Sequence, residues 1–325
     1  MSYIPLNQMI DALAELDHEQ KQLLLNHLQE SEMPTEQRIS TKLSSLAAIR
    51  EARFHEGLNC PHCAAQGLFK KNGTYRGRQR YLCKTCKRTC NDLTNTPVHG
   101  THYPDKWSAY LQAMEKGFSL RKCADYVGIT LPTAFAWRHK ILHALSVLKN
   151  QSLEGIVETD ETYVLHSEKG KRNLLRKARK RGGSAKKRGI SNEQVCILVA
   201  RDRMKETISE VVTFGRMSAA TLDQVLTSRL QSGVILCTDE EPTFRKYCRD
   251  QKLLHEKVNP GKKRYVTKEI YHIQNVNAYH ERLKSFLTPF RGISTKYLNH
   301  YVTWHRFMDQ TKMLQPMQRV RELFD

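Results

Sequence analysis

The spacing of hydrophobic residues changes along the chain and predicts segments of different structure. Apolar residues recur at every third or fourth position up to about residue 48 and again over 105–147, which predicts amphipathic helices. Over about 55–100, short apolar runs alternate with Gly, Asn, Cys and basic residues, a pattern typical of small hairpins. From 153 to about 310, strand-like runs alternate with helical stretches. The strand-like runs are 155–164, 195–200 and 234–238.

The net charge of the chain indicates which class of molecule it binds. The 325 residues carry a formal net charge of +20, although the first fifty hold only four Lys or Arg against seven Asp or Glu. An excess of this size indicates a polyanionic partner, and nucleic acid is favoured over a membrane because no basic amphipathic anchor is visible. A solvated basic surface is the alternative interpretation. No run has the roughly 18 apolar residues of a membrane span, and no secretory signal precedes the helices, so we expect a cytoplasmic protein.

Four of the nine cysteines form two Cys-x-x-Cys pairs. Cys60 and Cys63 are the first pair, and Cys83 and Cys86 follow after nineteen intervening residues. In a cytosolic chain this spacing favours a metal site over disulfides. Four thiolates complete a tetrahedral Zn²⁺ shell and leave no open position, so we expect a structural zinc ribbon whose ion replaces a large core. Cys90 has a poorer spacing and is interpreted as a packed or free thiol.

Residues 119–147 predict two helices joined by a tight turn. Ser119 is the expected N-cap of the first helix, Gly128 lies in the turn, and Pro132 lies near the start of the second helix. This arrangement is typical of a helix-turn-helix unit, in which the second helix enters the DNA major groove. A plain helical hairpin with Trp137 in its core is the alternative. The residues expected to be exposed and to contact DNA are Thr133, Arg138 and Lys140.

Two aspartates accompany predicted strands. Asp160 lies late in the first strand-like run, and Asp239 directly follows a later one. In an RNase H-like sheet, neighbouring strands bring two such carboxylates together, where they can hold the two Mg²⁺ ions used in phosphoryl transfer. A single strand-end Asp is more often a cap or turn residue, so the pair carries the argument. Glu158, on the same strand face as Asp160, is expected to be a solvated strand-end charge or to modulate the site.

Three strings of residues resemble the motifs of a known family. They are 159–163 (TDETY), 275–284 (NVNAYHERLK) and 290–298 (FRGISTKYL). They resemble motifs of zinc-ribbon insertion-sequence transposases of the ISXO-like group, within the DDE superfamily. The likeness extends from the cysteine pairs to about Phe307, and the opening helical segment is not needed for it.

The resemblance implies roles for four residues. It places the two catalytic aspartates at Asp160 and Asp239, the third acidic position at Asn277 and the following lysine at Lys284, which would contact a DNA phosphate. Asn in place of the usual Glu lowers the ligand charge from about −3 to about −2, which weakens metal binding unless another carboxylate helps. Glu281 is that candidate, because it lies one helical turn after Asn277. Either residue could complete the Mg²⁺ site.

Together these patterns predict an α/β multidomain chain with an RNase H-like catalytic domain. The expected segments are a helical arm (1–50), a zinc ribbon (51–100), a helix-turn-helix DNA-binding domain (101–150), the RNase H-like catalytic domain (151–310) and a C-terminal tail (311–325). A run at 169–188 with eleven Lys or Arg is expected to be a mobile insertion that holds DNA without reading it.

The expected activity is that of a DDE-type transposase that cleaves and joins double-stranded DNA by two-metal-ion phosphoryl transfer, with structural Zn²⁺ and catalytic Mg²⁺. The resemblance also implies a homodimer or larger assembly, because two element ends must be joined. A cytoplasmic DNA-binding protein of this kind is expected to associate with the nucleoid. Two alternatives remain open at this point. One is a DNA-binding regulator with an inactive RNase H-like domain, and the other is a nuclease without strand transfer.

Overall fold

The computed structural model describes residues 58–75, 78–147, 152–174, 176–179 and 183–312. The predicted helical arm, and the predicted tail after Lys312, lie outside the described residues. The described residues form two compact units. The first runs to Thr94 and includes His102–Ser108, and the second contains Asn95–Thr101 and everything from Ala109 onward. Among the described residues, no helix is both long and apolar enough to cross a membrane.

The first unit contains a small antiparallel sheet. Its strands are β1 (Phe69–Tyr75), β2 (Arg78–Cys83) and β3 (Thr89–Cys90), in the order β1-β2-β3. Most of β1 is exposed and β2 is only half-buried, so the sheet has little apolar core. The predicted hairpins are confirmed, and the burial shows why such a unit needs another source of stability. A short 3₁₀ helix (Pro104–Lys106) then leads into the next helix.

Three helices follow: α1 (Trp107–Glu115), α2 (Leu120–Val127) and α3 (Leu131–Val147). From Ala109 onward they belong to the second unit. The predicted N-cap is confirmed, since the Ser119 side chain accepts a hydrogen bond from the Lys122 backbone N–H. Gly128 ends α2 in the left-handed region at φ 66°, which glycine adopts without strain, and its N–H donates to the Ala124 carbonyl. The Thr130 hydroxyl accepts from the Thr133 N–H at the start of α3.

A five-stranded sheet forms the centre of the second unit. Its strands are β4 (Ile156–Leu165), β5 (Gln194–Asp202), β6 (Thr207–Phe214), β7 (Ile235–Asp239) and β8 (Leu254–Val258). They lie in the order β6-β5-β4-β7-β8. β4, β5 and β6 pair antiparallel, whereas β7 is parallel to both β4 and β8. The three strand-like runs predicted from the sequence correspond to β4, β5 and β7.

Helices cover both faces of this sheet. They are α4 (Ala219–Leu226), α5 (Pro242–Asp250), α6 (Gln274–Leu287) and α7 (Thr295–Gln310), with 3₁₀ turns at Thr227–Arg229, Pro260–Lys262 and Thr288–Phe290. Residues alternate between faces along a strand. On β5, Leu198 packs with Leu222 of α4 and Phe244 of α5, whereas its neighbour Val199 packs with Val276 of α6 and Val302 of α7. The sheet therefore has two buried layers.

Candidate functional site

The four predicted zinc ligands converge. The Sγ atoms of Cys60 and Cys86 are 3.7 Å apart, and those of Cys63 and Cys83 are 3.8 Å apart. A tetrahedral ion with Zn–S bonds of about 2.3 Å places its sulfurs about 3.8 Å from one another. Backbone N–H groups of Cys86 and Thr85 lower the pKa of the Cys83 thiol to about 6, which favours the thiolate. All four ligand atoms lie within 4.8 Å of one another, and the cluster is suited to zinc.

The two predicted catalytic aspartates lie at the same level of the sheet. Glu158 of β4 pairs with Cys237 of β7 in parallel register, so the residues two positions further along are Asp160 and Asp239. Burial and the charge of Asp239 raise the pKa of Asp160 to about 7. Burial, with the charges of Glu241 and Glu240, also raises the pKa of Asp239. Carboxylates that are buried and repel each other create a site where a cation is favourable.

Glu161 is a third carboxylate at this position, which sequence reasoning did not single out. It is half-buried, and its Oε2 has no hydrogen-bond partner among the described residues. Burial and the charges of Asp160, Asp239 and Glu241 raise its pKa to about 8. The signal was available in the sequence, since Glu161 directly follows Asp160, but neighbouring strand residues point to opposite faces and it was not expected to share the site.

Helix α6 presents the predicted third element. Asn277, Glu281 and Lys284 lie on it as expected, and all three are exposed. The Lys284 ammonium is 3.1 Å from a Glu281 carboxylate oxygen, and its charge lowers the pKa of Asp160. His280 on this helix also lies beside Asp160, with its Nδ1 3.8 Å from Oδ2 of Asp160.

His280 is an unfavourable ligand for Mg²⁺, because this ion prefers oxygen ligands. Its side chain is 5% exposed, and burial, together with the charge of Lys284, lowers its pKa to about 4. At neutral pH the imidazole is therefore uncharged, and it lies beside the Asp160 carboxylate at a distance longer than a hydrogen bond. The choice between Asn277 and Glu281 as the third ligand stays a prediction.

Glu158 joins α6 by hydrogen bonds to β4, the strand that carries Asp160. It is fully buried, so the expectation of a solvated strand-end charge is wrong. Its Oε2 accepts the backbone N–H groups of Asn275 and Val276 at 2.8 and 3.2 Å, and the Asn275 side chain donates to Oε1 at 2.7 Å. Arg203 Nη1 and His272 Nδ1 lie 2.7 and 3.2 Å from Oε1.

This contact replaces a missing helix cap. The N-cap position of α6 is occupied by Ile273, whose side chain makes no capping hydrogen bond. The first N–H groups of a helix have no partner within it, and a carboxylate there is also favoured by the helix dipole. Glu158 supplies this acceptor from β4. The helix that carries Asn277 and His280 is thereby held against the strand that carries Asp160.

The predicted DNA-contacting residues of α3 have different environments. Lys140 is exposed and its Nζ donates to the His99 carbonyl at 2.8 Å, while Thr133 is half-buried. The expectation that Arg138 is exposed is wrong, because its side chain is 0% exposed. α3 is covered on that side, so the Arg138 guanidinium meets protein and not solvent.

The partners of Arg138 explain its burial. The guanidinium donates to the Phe118 carbonyl at 2.7 Å and to Cys123 Sγ at 3.1 Å. Its Cζ lies 5.6 Å from the ring centre of Phe290 and 5.2 Å from that of Trp304 in α7. Such cation–π contacts stabilise a desolvated cation. Trp137 is buried as well. The plain helical hairpin, which was the alternative to a helix-turn-helix, also expects Trp137 in the core.

The predicted basic insertion at 169–188 contains no helix or strand in its described residues. One of its lysines is nevertheless fixed, since Lys169 Nζ donates to the carbonyls of Phe290, Arg291 and Gly292 at 3.1, 3.3 and 2.8 Å. Arg179 donates to the His166 carbonyl. At these two points the insertion is anchored to the second unit.

Comparisons with known proteins relate the chain to transposable elements. Residues 152–309 match the family model described as the ISXO2-like transposase domain, a range that contains β4–β8 and α4–α6 and nearly all of α7. The chain is also similar to an "uncharacterized protein in transposable element ISH50" of Halobacterium salinarum. The two are 28% identical over 257 residues, which cover 78% of this chain and 86% of the relative. These findings support a transposase.

Proposed function

We propose that the chain is a DDE-type DNA transposase that cuts and joins the ends of an insertion sequence by metal-dependent phosphoryl transfer. The observation that carries this proposal is the level placement of Asp160 and Asp239 on adjacent parallel strands, facing the helix that carries Asn277, His280 and Lys284. The strand order β6-β5-β4-β7-β8, with its first three strands antiparallel, supports an RNase H-like catalytic domain.

The residues fit divalent cations. Asp160 and Asp239 offer hard oxygen ligands, and Asn277 or Glu281 offers a third. Bound Mg²⁺ would activate the attacking oxygen and stabilise the leaving oxygen of a phosphodiester. Without a cation, burial and the charge of Asp239 raise the pKa of Asp160 to about 7.

The remaining residues position the reactants. Glu158 holds α6 in place and His280 packs beside the Asp160 carboxylate. Lys284 is exposed beside Glu281 and would contact a DNA phosphate. The first reaction is attack of water on a phosphodiester at the element end, which releases a 3′-hydroxyl. That hydroxyl then attacks a phosphodiester of the target DNA and displaces the 3′-oxygen of the target strand, so no covalent protein intermediate is needed.

The other segments would bind DNA. α2 and α3 are proposed as a helix-turn-helix with Thr133 and Lys140 towards the bases or backbone, now without Arg138. The cysteine cluster would hold a structural Zn²⁺, and the basic insertion would contact phosphates. Because two ends must be joined, we propose that a dimer or larger assembly acts on the DNA.

The test incubates the purified chain with Mg²⁺ and labelled DNA spanning an end of its mobile element. Asp160→Asn and Asp239→Asn should abolish cleavage and joining but keep DNA binding. Asp223→Asn is the matched control, an exposed carboxylate on α4 that should leave activity unchanged. Equal products from all four proteins, or none from wild type, would refute the enzyme and favour the DNA-binding regulator.

Two further outcomes distinguish the finer alternatives. Cleavage without joined products would favour a nuclease. Asn277→Ala and Glu281→Ala compare the candidate third ligands, and loss of activity only in the second would move the ligand from Asn277 to Glu281.

A further inference from the structure

The segment between β8 and α6, residues 259–273, is here called the β8–α6 loop. It begins at the candidate catalytic edge of the sheet, because Val258 pairs with Asp239 in the parallel register of β7 and β8. The next residue, Asn259, donates from Nδ2 to Glu240 Oε2 at 2.7 Å. At its other end the loop leads into α6, where His272 contacts Glu158 at 3.2 Å. Both ends are therefore attached to elements that carry the catalytic residues.

Backbone hydrogen bonds give the loop a defined shape. Asn259 and Arg264 exchange two N–H to carbonyl bonds of 2.9 Å each. Thr267 and Tyr271 exchange another pair, at 2.8 and 2.9 Å, and the Thr267 hydroxyl donates to the Lys257 carbonyl at 2.9 Å. These bonds close two small turns, so the side chains between them are presented from a fixed backbone.

The first turn exposes three adjacent cations and an aromatic ring. Lys262, Lys263 and Arg264 are all exposed, and none forms an ion pair with another described residue. Tyr265 follows at 55% exposure, and Ile270 in the second turn is 53% exposed. An exposed ring beside adjacent cations suits nucleic acid, since cations bind phosphates and rings stack on bases.

We propose that the β8–α6 loop binds the DNA strand next to the phosphodiester at the catalytic carboxylates, with Lys262, Lys263 and Arg264 on phosphates and Tyr265 stacked on an unpaired base. Its position beside the scissile bond rests on the proposed function. Val258 pairs with Asp239 and the loop starts at the next residue, so a DNA strand bound at Asp239 lies close to the start of the loop. A second copy of the chain is the competing partner, and the experiment separates the two.

The first arm measures phosphate contacts. The full-length chain is titrated with a labelled element-end duplex at several salt concentrations, without Mg²⁺ and without chelator. Replacing the three cations together by Gln should make the slope of log affinity against log salt shallower by about 2 to 3, since each phosphate contact contributes about 0.9. The matched control replaces three exposed cations outside the loop, Lys205, Arg216 and Lys252, by Gln and should keep a steeper slope than the loop variant.

The second arm tests the ring. Tyr265→Ala should weaken binding at least about fivefold to the same duplex with an unpaired 3′ extension, whereas Tyr265→Phe should bind like wild type, because stacking needs the ring and not the hydroxyl. Equal affinities of the Ala and Phe variants would overturn the stacking.

A slope in the loop variant equal to that of the control would overturn the phosphate contacts. If that variant also sediments as a smaller species, the loop is an interface between copies. Because binding is measured without Mg²⁺, it does not depend on catalysis. A wild-type chain that binds through the loop but never cleaves would refute the transposase and leave the DNA-binding surface standing.

Discussion

Removing the Glu158 side chain should loosen the N-terminal half of α6. The Glu158→Ala variant leaves the backbone N–H groups of Asn275 and Val276, and the Asn275 amide, without their acceptor. Loss of a helix cap costs about 1 kcal/mol, and an unsatisfied buried donor costs about 1–3 kcal/mol. Arg203 is 29% exposed, so water can solvate its guanidinium when Glu158 is removed. The loss of this ion pair therefore adds little to the free-energy cost. We expect a total of about 3 kcal/mol.

The assay is hydrogen exchange of the full chain, read on peptides that cover the first two turns of α6. A loss of about 3 kcal/mol corresponds to exchange about 100-fold faster, because 1.4 kcal/mol is a factor of ten. Glu158→Gln keeps a carbonyl acceptor for the helix N–H groups but loses the charge opposite Arg203, and we expect about tenfold faster exchange. Cleavage by both variants should fall while DNA binding is retained.

Glu256→Ala is the matched control, because Glu256 pairs with Lys268, which is 67% exposed. Such surface pairs contribute about 0.2–1 kcal/mol, so exchange in α6 should change less than about fivefold. If Glu158→Ala leaves the exchange of α6 within the range of this control, Glu158 does not cap the helix and the reasoning is refuted.

The other predictions concern zinc, pH and the buried arginine. Cys83→Ser should lose bound zinc in elemental analysis while Cys90→Ser keeps it, and zinc retained by the first variant would contradict the four-thiolate site. Burial lowers the pKa of His305 to about 4, so as pH falls from about 6.5 the unfolded chain takes up a proton that the folded chain excludes, and stability falls. His305→Phe keeps the edge-to-face contact with Tyr279 and should lose less Tm than wild type between pH 7 and pH 5; equal losses would contradict this. Arg138→Ala should lower the free energy of unfolding by about 3 kcal/mol and Arg138→Met by about 1 kcal/mol, as measured by urea titration. Reduced DNA affinity with unchanged stability in both variants would instead support a DNA-reading role.

Features that depend on local sequence could be predicted. The spacing of the two Cys-x-x-Cys pairs was enough to predict that their four sulfurs lie together. Ser119 and Gly128 predicted the two ends of α2, because helix caps depend on neighbouring residues. Asp160 and Asp239 could be identified because each accompanies an apolar run, and parallel strands place such residues at one level of a sheet. The resemblance to a known family added the prediction that α6 carries the third metal ligand and a phosphate-binding lysine.

Features that depend on distant partners could not be predicted. Glu158 receives its hydrogen bonds from residues 117 and 118 positions away, so nothing near it in the sequence distinguishes it from a solvated charge. Arg138 looked exposed because a cation in a helix is usually solvated, and only the arrival of Phe290 and Trp304 covers it. His280 lies 120 positions from Asp160 in the sequence, so its place beside that carboxylate, as an imidazole with a lowered pKa, depends on the folded sheet and helix.

The buried contact of Arg138 with Trp304 has a consequence for the DNA that the chain recognises. It joins the proposed reading helix α3 to α7, which packs on the sheet that carries Asp160. If α3 reads bases, this contact holds the reading helix against α7 and so against the sheet that carries the candidate catalytic carboxylates. One extra base pair between the recognised sequence and the cleaved bond would turn that bond about 34° around the DNA axis and shift it about 3.4 Å. We therefore expect the chain to tolerate base changes in that interval better than changes in its length.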